Sequence, residues 1–258
     1  MEFRSVAEGL DPMHQFQVQK LIHLPFGNLD LSFTNSSLWM VIAVLGASLF
    51  LTLAMTSRSL VPGRMQSVAE MLYELVANMV RSTIGNEGMR FFPLVFSIFT
   101  FVLFCNMLGM IPSSFTVTSH IVVTFALATI VFLTVLVVGL MTHGMHFFSL
   151  FAPKGIPIAL LPLLIVIEVI SFLSRPISLS VRLFANMLAG HTMLKLFGGF
   201  TAMLLGAGGV LAGVSVLPFF AIVAITALEF LVAFLQAYVF SVLTCIYLNE
   251  ALHLHDDH

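Results

Sequence analysis

Long apolar stretches alternate with short polar ones along this chain. Residues 31–57 contain no Asp, Glu, Lys or Arg, which predicts a first membrane span at 36–56. Residues 57–90 then carry Arg58, Arg64, Arg81 and Arg90. Between them Met65, Val68, Met71, Leu72, Leu75, Val76, Met79 and Val80 recur at helical spacing, with Gln66, Glu70, Glu74 and Asn78 on the other side. This spacing predicts an amphipathic helix at 63–84, opened by Pro62 and lying on the membrane surface. A helix packed on its own protein gives the same pattern. Residues 91–153 again lack charge, predicting spans at 91–111 and 120–141 joined by a turn at 112–119.

The last hundred residues have a different pattern. Apolar stretches at 157–195 and 214–250 flank the glycine-rich Gly206, Ala207, Gly208 and Gly209. A helix of about 38 residues is ~57 Å long, against a hydrocarbon core of ~30 Å. It must break, or tilt well past the usual ~20°. Pro176 and Pro218 are the candidate kinks. Two steeply tilted helices fit better than four short ones, because the charges inside them then line a protein contact rather than lipid. The expected fold is an all-α polytopic membrane protein. It has about five crossings, one amphipathic surface helix and a long tilted hairpin at the end. Residues 1–35 form an outer segment and 251–258 an inner tail.

Composition supports this class. The 258 residues are 59% hydrophobic and only 9% charged, with a mean hydropathy of +1.08. Soluble domains average about 25% charged residues. A net charge of −2 without a basic tract points away from nucleic acid. Cys105 and Cys245 sit in apolar runs and read as buried thiols. Residues 1–35 lack the charged start and apolar core of a signal peptide. Four arginines at 58–90, and none at 112–119, put the surface helix inside, the turn outside and the N-terminus outside.

Arg182 changes the picture most. An arginine near the bilayer centre costs about 2.5–3.5 kcal/mol on insertion scales, and its guanidinium stays charged. No carboxylate lies three or four residues away to pair with it. Glu168, Arg175 and Arg182 are spaced by sevens and share a slowly drifting stripe, as do Glu229 and Gln236. Folding the two arms antiparallel about Gly208 and Gly209 levels Arg182 with Gln236 and His191 with Glu229. His191 lies about 13 Å nearer the outside than Arg182, and Glu168 lies toward the inside. Histidine and glutamate pass protons; arginine blocks them or meets a moving carboxylate. The pattern fits two proton half-channels separated by a fixed cation.

Plainer roles remain open for each residue. Arg182 can be one half of a structural ion pair, Glu229 a protonated core acid, and His191 a satisfied core histidine. Glu168 can reach the interface. Arg175, beside Pro176, reads as structural or interfacial, and Asn106 either packs or lines a channel. His143, His146, His253, His255 and His258 read as interfacial or solvated. A metal clutch of the terminal histidines with Asp256 and Asp257 is the lesser alternative.

The stretch SLSVRLFANMLAGH at 178–191 resembles the signature of subunit a of F-type ATP synthases. Glu229, QAYVF at 236–240 and IYLNEA at 246–251 resemble its C-terminal helix. LSFTNSS at 31–37 and NMLGMIP at 106–112 resemble its earlier helices. The resemblance implies a stator channel subunit abutting a ring of c subunits and held by peripheral-stalk b subunits, with no cofactor. Arg182 then corresponds to the arginine that separates the half-channels and meets each ring carboxylate. His191 and Glu229, with Asn186 and Gln236 nearby, correspond to the outer half-channel, and Glu168 to the inner one. Histidine at 191 with glutamate at 229 is similar to mitochondrial and related bacterial members. The ordinary N-terminus favours a bacterial inner membrane over a mitochondrial one.

A self-contained proton-coupled secondary transporter is the alternative. It predicts inverted repeats and broken helices around a midplane site, and the chain shows no repeat. A haem or quinone subunit needs histidines at matching depth on facing helices; His120, His143 and His191 do not supply them. No phosphate-binding Gly-rich loop is present, so the chain is not expected to be an enzyme by itself.

Overall fold

The computed structural model describes residues 16–22, 25–26, 29–30, 32–56, 62–111, 114–145, 147 and 160–253. Among the described residues, seven α-helices follow four very short strands: α1 (Asn35–Ala54), α2 (Arg64–Thr83), α3 (Phe92–Gly109), α4 (Ile121–His143), α5 (Leu161–Ala207), α6 (Gly209–Val214) and α7 (Val216–Leu252). Five stretches of the described residues, Asn35–Ala54, Asn86–Gly109, Ile121–His143, Leu161–Ala207 and Gly209–Leu252, are long and apolar enough to cross a membrane. The chain is an all-α polytopic membrane protein in its spanning part.

The contacts divide the chain into two units. The first gathers Met1–Ala47, Phe101–His120 and Phe184–Gln236. Here β1 (Lys20–Ile22) pairs antiparallel with β4 (Phe33–Thr34), enclosing β2 (Pro25–Phe26) paired with β3 (Leu29–Asp30). Asn35 ties this ribbon to α1. Its Nδ2 donates to Gln17 O, while its Oδ1 accepts from Gln19 N and Ser36 N. The second role satisfies one of the free N–H groups at a helix start. The strands were not legible in sequence because two or three residues cannot show alternation. On α1 the small buried residues Ala43 and Ala47 form a seam, and Gly46 faces the Phe104 ring of α3. Small residues let helices approach where lipid offers no hydrophobic drive.

The second unit gathers Ser48–Thr100, Ile121–Leu183 and Ala237–His258. Helix α2 buries Ala69, Val76, Ala77, Met79 and Val80 while exposing Met65, Val68 and Met71. One apolar face therefore packs on its own protein, while Met65, Val68 and Met71 remain exposed. Its Tyr73 lies edge-on to Phe92, with centroids 4.8 Å apart. The helix is capped by Gly63, one residue after Pro62. In α4 and α5, Thr124 and Ser180 approach to 3.5 Å. His143 Nε2 lies 3.0 Å from Leu252 O, so the ring serves the last turn of α7, whose carbonyls have no helical partner. The sequence pattern alone reads His143 as interfacial or solvated.

The long helices differ from expectation at their ends. Helix α5 continues to Ala207, past the predicted limit of 195, and runs through Pro176. In an apolar medium each backbone group needs an internal partner, so helix persists across glycines that would end it in water. It stops where Gly208 and Gly209 adopt φ of 68° and 59°, a turn that a β-carbon would strain. Pro218 is no mid-helix kink: it sits in the first turn of α7, where N–H groups lack partners anyway. Pro112, Arg58, His146, Lys154, the terminal histidines after His253, Asp256 and Asp257 lie outside the described residues.

Candidate functional site

Within the first unit, α5 and α7 bring buried polar groups together in apolar surroundings. His191 Nδ1 lies 2.5 Å from Glu229 Oε1, and both side chains are buried. The other ring nitrogen, Nε2, lies 2.8 Å from the Gly109 carbonyl of α3. A carbonyl only accepts, so Nε2 carries hydrogen and donates. Nδ1 also faces Met187 O at 3.1 Å. The Met187 carbonyl lies along the hydrogen-bond direction. The carboxyl oxygen is closer but off that line, and neither oxygen of Glu229 has a hydrogen-bond partner among the described residues. Nδ1, Met187 O and Glu229 Oε1 are three acceptors unless one hydrogen sits among them. That hydrogen belongs to Nδ1 or to the carboxyl.

Around this pair the polar atoms are matched more fully. Asn186 Nδ2 donates to Gln236 Oε1 at 2.9 Å. Asn106 is buried, donates to Ala233 O at 3.1 Å and accepts from Thr118 Oγ1 at 2.8 Å. It therefore bonds α3 to the α7 backbone and to the turn. Ser114 Oγ donates to the same Gly109 carbonyl that receives His191. Of the two roles open to Asn106, packing is the one its bonds describe.

The second unit holds Glu168, Arg175, Arg182 and Glu250. Arg182 is exposed and makes no hydrogen bond or ion pair to a described residue. The Tyr247 hydroxyl lies within electrostatic range of Arg182, Arg175 and Glu250. Arg175 Nη1 pairs with Glu250 Oε2, and its guanidinium lies 5.6 Å from the Phe172 ring centre and 5.2 Å from that of Tyr247. Glu168 is half-buried and has no hydrogen bond or ion pair to a described residue. Cys105 and Cys245 are free, buried thiols.

The profile of the ATP synthase A chain family matches residues 37–249. The chain belongs to that family. Proteins named ATP synthase subunit a are similar along nearly the whole length. The one from Chelativorans sp. is 64% identical over 243 residues, 94% of this chain and 98% of its own. Those from Parvibaculum lavamentivorans and Mesorhizobium japonicum are each 61% identical, covering 95% and 96% of this chain and 94% and 98% of their own. As an ATP synthase A chain, the protein is a multi-pass membrane subunit that works with other ATP synthase subunits.

The side-chain pairs within each unit show α5 and α7 running against one another. His191 meets Glu229, as the antiparallel register expects. Gln236, levelled with Arg182 by that register, takes its hydrogen bond from Asn186, one turn further along α5. Sequence reasoning missed the Gly109 carbonyl, Thr118 and Ala233, since no spacing on one helix reports a backbone acceptor on another. It also missed Glu250 as the partner of Arg175, because the register that levels His191 with Glu229 sets Arg175 opposite a position more than one helical turn before Glu250.

Proposed function

We propose that this chain is the stator subunit of the ATP synthase membrane sector and provides two proton half-channels to and from a rotating c-ring. It couples proton flow to ATP synthesis and performs no chemistry on nucleotide itself. The observation that carries the reading is Arg182, an exposed cation on an apolar helix with no ion pair to a described residue. Its desolvation, about 2.5–3.5 kcal/mol on insertion scales, is offset when a carboxylate of another chain meets it. A ring carboxylate that arrives, loses its proton and departs supplies that partner transiently.

In this reading His191 and Glu229 transfer protons in the outer half-channel. Asn186 and Gln236 support them, and Glu168 lies on the inner route. The c-ring packs against the long hairpin and b subunits hold the stator. The N-terminus lies outside and the C-terminus inside a bacterial plasma membrane. The test is ATP-driven proton pumping by vesicles carrying the complex with Arg182→Ala. Assembly is expected to persist and pumping to vanish; pumping at the wild-type rate rejects the mechanism.

A further inference from the structure

Gly190 stands on α5 against the carboxyl group of Glu229. A β-carbon at 190 would lie 2.5 Å from Oε1, 2.9 Å from Cδ and 3.2 Å from Cγ of Glu229. Gly190 is absent from the positive-φ glycines, so helical backbone there suits any residue. Glycine inside a helix costs about 1 kcal/mol relative to alanine. What it provides here is room: α7 brings Glu229 up to α5 so that Oε1 reaches Nδ1 of His191, the next residue. On the far side of the ring, Gly109 O holds Nε2. Gly109 is crowded too, since a β-carbon there would lie 2.9 Å from Thr116 Cγ2.

We propose that Gly190 is a positioning residue. Its missing β-carbon seats the Glu229 carboxyl against Nδ1, so that the pair's proton passes between Oε1 and Nδ1 and, once on Nδ1, is shared with the Met187 carbonyl. This rests on reading the pair as the proton-transfer group of the outer half-channel. With the proton on Glu229, both side chains are neutral. Transfer breaks the O–H bond and forms N–H at Nδ1, leaving imidazolium and carboxylate with no net change of charge. Nε2–H stays on Gly109 O throughout, so the ring relays through one nitrogen without turning over.

The test uses the whole ATP synthase in vesicles, with passive proton conduction through the membrane sector and ¹⁵N resonances of His191 as readouts. G190A is expected to lower conduction about 10- to 100-fold, the scale of an ångström-level misplacement. It is also expected to move the Nδ1 resonance while leaving Nε2 in place. A glycine needed only for helix contact does not select one ring nitrogen in this way. G190A that conducts like wild type with an unmoved Nδ1 signal overturns the proposal. E229Q separates the two layers. If it conducts normally, the reading of the pair falls, and the G190A resonance still decides whether Gly190 seats the carboxyl. Should G190A fail to assemble, G190A/E229D withdraws the carboxyl by one methylene and is expected to restore assembly. Failure of that variant as well counts against the close approach.

Discussion

Asn186 donates to Gln236 Oε1, joining α5 to α7 one helical turn beyond Arg182. Gln236 is buried, and its Nε2 has no hydrogen-bond partner among the described residues. A buried orphan donor costs about 1–3 kcal/mol. Gln236→Leu removes that donor along with the acceptor, and Asn186 is exposed. Thermal unfolding of the complex in detergent is therefore expected to change by no more than about 1 kcal/mol, while proton conduction falls. A large loss of stability would recast Gln236 as a structural residue.

Glu229→Gln keeps shape and burial but cannot exchange a proton with His191. Conduction is expected to slow by about 10²-fold, the lower range for a lost acid–base group. Arg182→Ala is expected to be more severe in ATP-driven pumping, because in the proposed function it removes the barrier rather than one transfer step. Measuring both variants in the same vesicles checks the ranking. Equal or reversed effects count against the half-channel assignment.

Asn106→Leu breaks two buried bonds at once: Thr118 Oγ1 loses its partner, while the Ala233 carbonyl, inside α7, keeps its helical one. The orphaned Thr118 hydroxyl costs about 1–3 kcal/mol. The expected result is a lowered unfolding temperature and a smaller yield of assembled complex. Asn106→Asp keeps an acceptor for Thr118 and loses the donor to Ala233, so its loss is expected to be smaller if it binds a proton and larger if it remains charged. A pH series on that variant distinguishes the two.

Arg175 and Glu250 pair at positions 75 residues apart, with side chains 19% and 39% exposed. Partial exposure weakens the electrostatic part, while the Phe172 and Tyr247 rings add packing for the planar guanidinium. A double-mutant cycle of Arg175→Gln and Glu250→Gln is expected to give a coupling of about 0.5–3 kcal/mol in thermal unfolding. Arg175→Lys keeps the charge and loses the flat face, so it is expected to be less stable than wild type.

The apolar stretches revealed the five spans because lipid demands ~20 residues of helix whatever surrounds it. The His191–Glu229 contact was legible for a related reason: an antiparallel hairpin with a glycine turn leaves few registers. The strands near Asn35 were hidden, since their pairing rests on a few backbone bonds and not on a side-chain pattern. The length of α5 was misread because glycine and proline carry different costs in lipid and in water.

By itself, then, the sequence determined the membrane class, the number of long apolar helices and which ionisable groups share a stripe. Each of these follows from helix period and the cost of exposing polar groups to lipid, which act residue by residue. Tertiary structure alone decided that Gly109 O holds Nε2, that Asn106 reaches Ala233 O, that Arg175 pairs with Glu250 and that Gly190 makes room for a carboxyl. Those contacts join atoms far apart in the chain. Backbone carbonyls and absent β-carbons leave no mark in the hydrophobic pattern, so only the packed helices reveal which side chain they serve.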